Sequence, residues 1–386
     1  MEGEEEETQG LTTAKLIRVD VSWRRRTQEW GREGAARRRA ERGRRRGGGR
    51  GEAEYGGARG MWHGGRGSAA APVVTVSVAL PGSIIDNAQS LEMATLLAGQ
   101  IARAVTIFRI HEVIVFDNKA SSDDAVLAEN SDNNENGAAF LVKILNYLET
   151  PQYLRRSLFP MHNSLRFVGL LPPLDAPHHV RKHEWSAFRE GITLEERPLD
   201  FSGTLVNVGL SKNVMVEEIL EPGVRVTVAM GTSRTLGTDV PKKIVSPFTP
   251  LEEMGLYWGY KVRYAPNISS VFKMCPFQEG YDHIVGTSEH GVIVDSSELV
   301  IPAFRHLLIA FGGLGGLEEC IEEDSDMKGK NVSEIFHSYL NTCPHQGSRT
   351  IRTEEAIFIS LQYFQEPIKR AVNSLKHNNG VSCRCT

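Results

Sequence analysis

Residues 73–117 read VVTVSVALPGSIIDNAQSLEMATLLAGQIARAVTIFRIHEVIVFD, and this stretch sets the fold class. VVTVSVAL is a short β-branched run stopped by Pro81-Gly82, the pattern of a buried strand. Leu91, Ala94, Leu97, Ile101, Val105 and Phe108 then recur at steps of three and four residues, which predicts an amphipathic helix. His111–Asp117 is a second apolar run. Strand, helix and strand at this spacing make a βαβ unit, hence a parallel sheet.

The same pattern returns from residue 281. YDHIVGTSEHG (281–291) reads as a strand entering a Gly-Thr-Ser turn, and HLLIAFGGLGGLEE (306–319) as a strand entering a glycine-rich turn. EIFHSYLNTCPHQGSRTIRTEEAIFISLQYF (334–364) reads as a strand, a loop and a helix. Three successive strands thus end in loops of small residues. Ligands of open α/β sheets lie at the carboxyl ends of strands, so three such loops together would frame a nucleoside-sized site.

Between these halves the pattern changes. Residues 118–137 are polar and acidic and read as a loop. AAFLVKILNYLETPQYLRRSLF (138–159) is helical with a break near Pro151, and SLRFVGLLPPLD (164–175) reads as a third strand. Residues 197–265 hold short β runs split by Gly, Pro, Ser and Asn, enough for a small OB-like barrel of about five strands. LYWGYKVRYA (256–265) is taken as one of them, its aromatics either stacking bases or filling the barrel, with the core the favoured place for Trp258 and Tyr260.

The ends differ in composition. The net charge of −4 averages a strongly basic segment at 18–66 with an acidic remainder. Residues 1–70 are Arg- and Gly-rich and short of branched apolar residues, so they read as a disordered arm. Clustered guanidiniums release phosphate counterions, which points to RNA contact. The start MEGEEEE has the opposite charge from a signal peptide, and no apolar run reaches the roughly 18 residues of a membrane span. Five cysteines without a CxxC pair argue against a disulfide framework or structural zinc. The CRCT terminus has only the outline of a prenylation box, with Arg384 against it. His178, His179, His183 and Glu184 match neither zinc-enzyme spacing, so no metal is expected.

Two motifs carry the chemistry. FGGLGGLEE (311–319) brings four glycines to a turn, letting backbone approach a ligand, but lacks the dinucleotide spacing; no Walker A sequence occurs either. NTCPHQGSRTIRTEEA (341–356) places Ser348, Thr350 and Thr353 before a helix, with Glu354-Glu355 at its positive end. Arg349 and Arg352 beside this turn suit a phosphate or carboxylate.

With GTSE (286–289) these motifs resemble, in order, the eukaryotic and archaeal RNA methyltransferase family of the SPOUT (α/β-knot) superfamily. LPGSIIDNAQS, LAGQIARA, PQYLRR, LLPPLDAPHH, FREG, LEPGVRVTV and GLYWGY extend the resemblance from about Val74 to about Phe364. It implies a C-terminal trefoil knot, bound S-adenosylmethionine, a homodimer that completes the site, and structured RNA as substrate, read here as rRNA modified on a uridine base; with the basic arm, a nuclear or nucleolar location is expected. It assigns 71–196 and 266–368 to the catalytic domain, 197–265 to the insert and 369–386 to a tail. By position, Gly286, Thr287 and Ser288 form the first cofactor loop. Gly312, Gly313, Leu314, Gly316 and Leu317 form the second. Asn341, Thr342, Cys343, Gly347, Ser348 and Ile351 form the third. Arg349 and Arg352 would face RNA phosphate or the reacting base, and Glu354 would accept a proton. The alternative is a catalytically silent knotted RNA-binding scaffold; Ser348, Arg349 and Arg352 argue for the enzyme.

Overall fold

The computed structural model describes residues 74–117, 136–196, 203–231 and 242–381. The arm at 1–70, most of the acidic loop at 118–137 and the CRCT terminus lie outside them.

A six-stranded parallel sheet forms the main body. Its strands are β1 (Thr75–Pro81), β2 (Glu112–Phe116), β8 (Lys261–Ala265), β9 (His283–Val292), β10 (His306–Phe311) and β11 (Ser338–Leu340), in the order β11-β9-β10-β1-β2-β8. Side chains alternate along each strand, so each serves two layers. Val76, Val78 and Leu80 of β1 and Leu307, Ile309 and Phe311 of β10 pack on α1 (Leu91–Ile107), α2 (Gly137–Glu149) and α8 (Thr353–Val381). Ala79, Ile114, Leu308 and Ala310 face the opposite way, onto α5 (Ile268–Lys273) and α6 (Gly316–Glu323). The expected βαβ unit is present. Ser90 starts α1, its hydroxyl accepting from the Met93 amide at 3.3 Å, and small residues such as Ala98, Ala102 and Ala104 let it sit close on the sheet.

A separate antiparallel sheet runs β5 (Val214–Val216), β4 (Thr204–Asn207), β3 (Phe188–Thr193), β6 (Arg225–Ala229), β7 (Lys243–Val245). A bridge between Val216 and Lys242, with Lys242 N donating to Met215 O at 2.7 Å, brings its two edges together. Valines 206, 208, 214, 216, 226 and 228 fill it.

Several sequence expectations are corrected. The antiparallel strands begin at Phe188, not 197, and end at Val245. β8 pairs with β2 in parallel and is the edge strand of the main sheet, so LYWGYKVRYA is no barrel strand. Trp258 does pack on Phe188 of β3, but Tyr260 turns to α2, donating to Leu145 O at 3.0 Å. SLRFVGLLPPLD forms two short 3-10 turns, Asn163–Leu165 and Val168–Leu170, with no sheet partner. The GTSE segment is no turn: β9 continues through it to Val292. The tail expected at 369–386 is helical to Val381, because Ile368, Ala371 and Val372 extend the apolar face of α8 against the core.

Candidate functional site

The carboxyl ends of β9, β10 and β11 meet, and polar side chains knit their loops. Thr287 Oγ1 donates to Ala310 O at 3.0 Å, joining β9 to β10. Asn341 Nδ2 donates to Glu289 O at 2.9 Å and its Oδ1 accepts from Cys343 N at 3.0 Å, joining the third loop to the first. Thr353 Oγ1 donates to Gly312 O at 3.0 Å, joining the third loop to the glycine turn. Thr342 and Ser360 share a hydroxyl hydrogen bond of 2.7 Å.

The glycine turn closes on itself. A Cβ on Gly312 would come 2.3 Å from the Gly316 carbonyl carbon, and Gly316 has φ +78°. Only glycine permits both without strain. Gly313 differs: its Cβ would meet nothing nearer than Pro81 Cγ and Ser83 Oγ at 3.4 Å.

These loops border a cleft of about 870 Å³, a volume suited to a nucleoside-sized ligand. Of the residues expected in the site, Thr287, Ser288, Gly312, Gly313, Leu314, Gly316, Asn341, Thr342, Cys343, Ile351, Arg352 and Glu354 line it. Five do not. Gly286 is covered by the rings of Tyr339 and Phe336, and Leu317 is fully buried beneath the turn. Gly347, Ser348 and Arg349 lie beyond the lining. Leu314, expected against an adenine, stands 84 % exposed at the mouth. Arg352 and Glu354 face each other at 3.9 Å, the guanidinium 75 % exposed and the carboxylate 8 %.

Sequence reading missed one whole wall. Asn87, Gln89, Met93 and Leu96, from the turn before α1 and from its outer face, lie across the cleft from the loops. The available signal was that Met93 and Leu96 are apolar yet lie off the stripe of Leu91, Ala94, Leu97, Ile101, Val105 and Phe108; both are half-exposed. Glu318 was missed as well.

Residues 75–364 match the family described as "Putative RNA methyltransferase". The chain belongs to this family. The methyltransferase is 49 % identical to the mouse (Mus musculus) 28S rRNA (uridine-N(3))-methyltransferase over 75 % of this chain and 76 % of that protein. It is 49 % identical to the Homo sapiens protein of the same description, over 77 % and 79 %. A solved SpoU methyltransferase, AviRb from Streptomyces viridochromogenes in complex with AdoMet, aligns at 11 % identity and a TM-score of 0.28, covering 78 % of this chain and 57 % of its own. That likeness is too remote to bear on the site.

The charge of the methyltransferase's cleft tests the fit of its methyl donor. Glu289, Glu318 and Glu354 line it against a single guanidinium, Arg352. Such a lining opposes a polyphosphate and suits the cationic sulfonium nucleoside S-adenosylmethionine. Among the described residues no group of His, Cys, Asp or Glu is arranged to hold a metal ion, and no helix is long and apolar enough to cross a membrane. His178 and His179 instead both meet Glu149 O, at 2.8 and 2.7 Å.

Proposed function

We propose that the chain transfers a methyl group from S-adenosylmethionine to N3 of a uridine in ribosomal RNA. The observation that carries this reading is the meeting of three small-residue loops on one cleft, in a chain 49 % identical to relatives described as 28S rRNA (uridine-N(3))-methyltransferases. Thr287, Ser288, Gly312, Gly313, Asn341, Thr342, Cys343 and Ile351 would hold the donor. When bound, it supplies an activated methyl group on a sulfonium. The protein then has three tasks: aligning the base, excluding water and handling the N3 proton. Arg352 is suited to stabilise negative charge on a uracil oxygen, and Glu354 to take the proton. Gly347, Ser348 and Arg349, exposed outside the cleft, would meet the RNA.

The C-terminal part is proposed to be a trefoil knot. Residues 294–299 are strapped to α8: Ser296 Oγ donates to Tyr363 O at 2.6 Å, Tyr363 OH to Val294 O at 2.7 Å, and Arg370 Nη2 to Ser296 O and Leu299 O at 2.9 Å. This supports a path in which α8 is tucked beneath the crossover from β9 to β10. Exposed Met93, Leu96 and Leu314 at the cleft, with Ile293 and Val300 exposed on the crossover after β9, support a homodimer that completes the site. Ribosomal RNA as substrate supports a nuclear or nucleolar location. The test is incubation of unmodified rRNA with the protein and isotopically labelled S-adenosylmethionine, followed by nucleoside mass spectrometry. Label in 3-methyluridine is expected; label confined to another nucleoside, or none, overturns the reading.

A further inference from the structure

Glu318 contributes to the negative lining of the cleft but has no individual role in the transfer described above. It stands in the first turn of α6. Ser288 Oγ, from β9, donates to its Oε1 at 3.1 Å. Its Oε2 sits over Gly316, where an added Cβ would come within 2.5 Å of that oxygen. Beside the pair, the Tyr339 hydroxyl is buried with no hydrogen-bond partner of normal geometry among the described residues. Burial raises the Tyr339 pKa, and the Glu318 carboxylate adds to the effect, so the phenol stays protonated. The Glu318 carboxylate is therefore anchored by Ser288 between the first and second loops, with the Tyr339 hydroxyl beside it.

The neighbouring charges single it out. Glu354 faces Arg352 and is nearly covered, while Glu289 is 59 % exposed. Glu318 alone among the three is half-buried and held at the junction of the two loops. We propose that Glu318 is the counter-charge that positions the cationic methyl donor and distinguishes it from its demethylated product. This rests on the methyl-transfer reading above. In that transfer the S–CH₃ bond breaks, its electron pair stays on sulfur, and a new N–CH₃ bond forms as N3 gives up its proton. The sulfur thus loses its positive charge. A carboxylate set against the sulfonium favours donor over product, whereas one set against the ribose or the amino-acid end holds both equally.

The experiment is calorimetric titration of the full chain, E318Q and S288A with S-adenosylmethionine and with S-adenosylhomocysteine, at low and high salt. Loss of a charge-assisted contact predicts that E318Q weakens donor binding about tenfold or more and product binding less than about threefold. Donor affinity of the unaltered protein should fall with salt and that of E318Q should not. S288A loosens the carboxylate without removing it; beyond any equal loss for both ligands from Ser288's own place in the donor site, it should weaken the donor more than the product, and it keeps the test open if E318Q does not fold. Equal losses for both ligands place Glu318 on the shared nucleoside and overturn the proposal, as do unchanged affinities. Binding of neither ligand by the unaltered protein overturns the methyl-donor reading itself.

Discussion

Glu149, at the end of α2, and Arg225, on β6, meet at 2.6 Å where the parallel sheet's helical layer joins the antiparallel sheet. The guanidinium also donates from Nε to Glu190 Oε2 at 2.7 Å, and Glu190 Oε1 accepts from Trp258 Nε1 at 2.7 Å and Thr227 Oγ1 at 2.6 Å. His178 Nε2 stands 3.0 Å from Glu149 Oε1. Removing one partner of such a buried set strands the others. R225M is therefore expected to cost about 3–5 kcal/mol of stability in denaturant titration.

The same pair sets an acid limit. Burial alone would raise the Glu149 pKa, but Arg225 and His178 overcome it and hold the carboxyl well below its usual range. Its contribution is complete above the ordinary glutamate value of about 4.3 and is lost as pH falls below that. E149Q should show a flatter decline in unfolding temperature below that pH than the unaltered protein.

Two histidines act at milder pH. Burial, then repulsion from Arg109, lowers His111 to about 4; burial, then His178, lowers His179 to about 4. His111 Nδ1 accepts from the Val76 amide at 3.2 Å, which the neutral ring can do. The unfolded chain takes up these protons from about 6.5 downward while the fold resists. Stability is thus full above pH 6.5 and falls toward pH 4. H111N, which keeps an acceptor, should show a shallower loss of melting temperature across that window.

The two adjacent glycines should separate folding from binding. G312A drives a methyl into the Gly316 backbone and is expected to lower the melting temperature. G313V meets only ordinary contacts, so it should fold while its side chain fills the cleft. Calorimetry should then show no heat with S-adenosylmethionine for G313V; unchanged affinity would remove that backbone from the donor site.

Arg352 is mostly exposed and its ion pair with Glu354 is 3.9 Å long, so R352A should leave stability within about 0.5 kcal/mol. If the guanidinium stabilises charge on the base, kcat falls about 10²-fold with donor affinity unchanged. Single-turnover methylation of rRNA, set beside donor titration, separates these outcomes.

The chain's local patterns carried the βαβ unit, the parallel sheet, the glycine turn and the hydroxyl-rich third loop, because periodicity and glycine act over a few residues. They did not carry the partner of LYWGYKVRYA: a β-period strand reads the same beside β2 as in a barrel, and only its pairing with Val113 and Val115 decides. Nor did they show that Gly286 and Leu317 turn away from the cleft while Asn87 and Met93 turn toward it. Leu317 and Glu318 are neighbours in a glycine-rich motif, yet one fills the core and the other lines the cleft. That outcome depends on where helix α6 lands against β9, a contact between side chains 30 residues apart, Ser288 and Glu318.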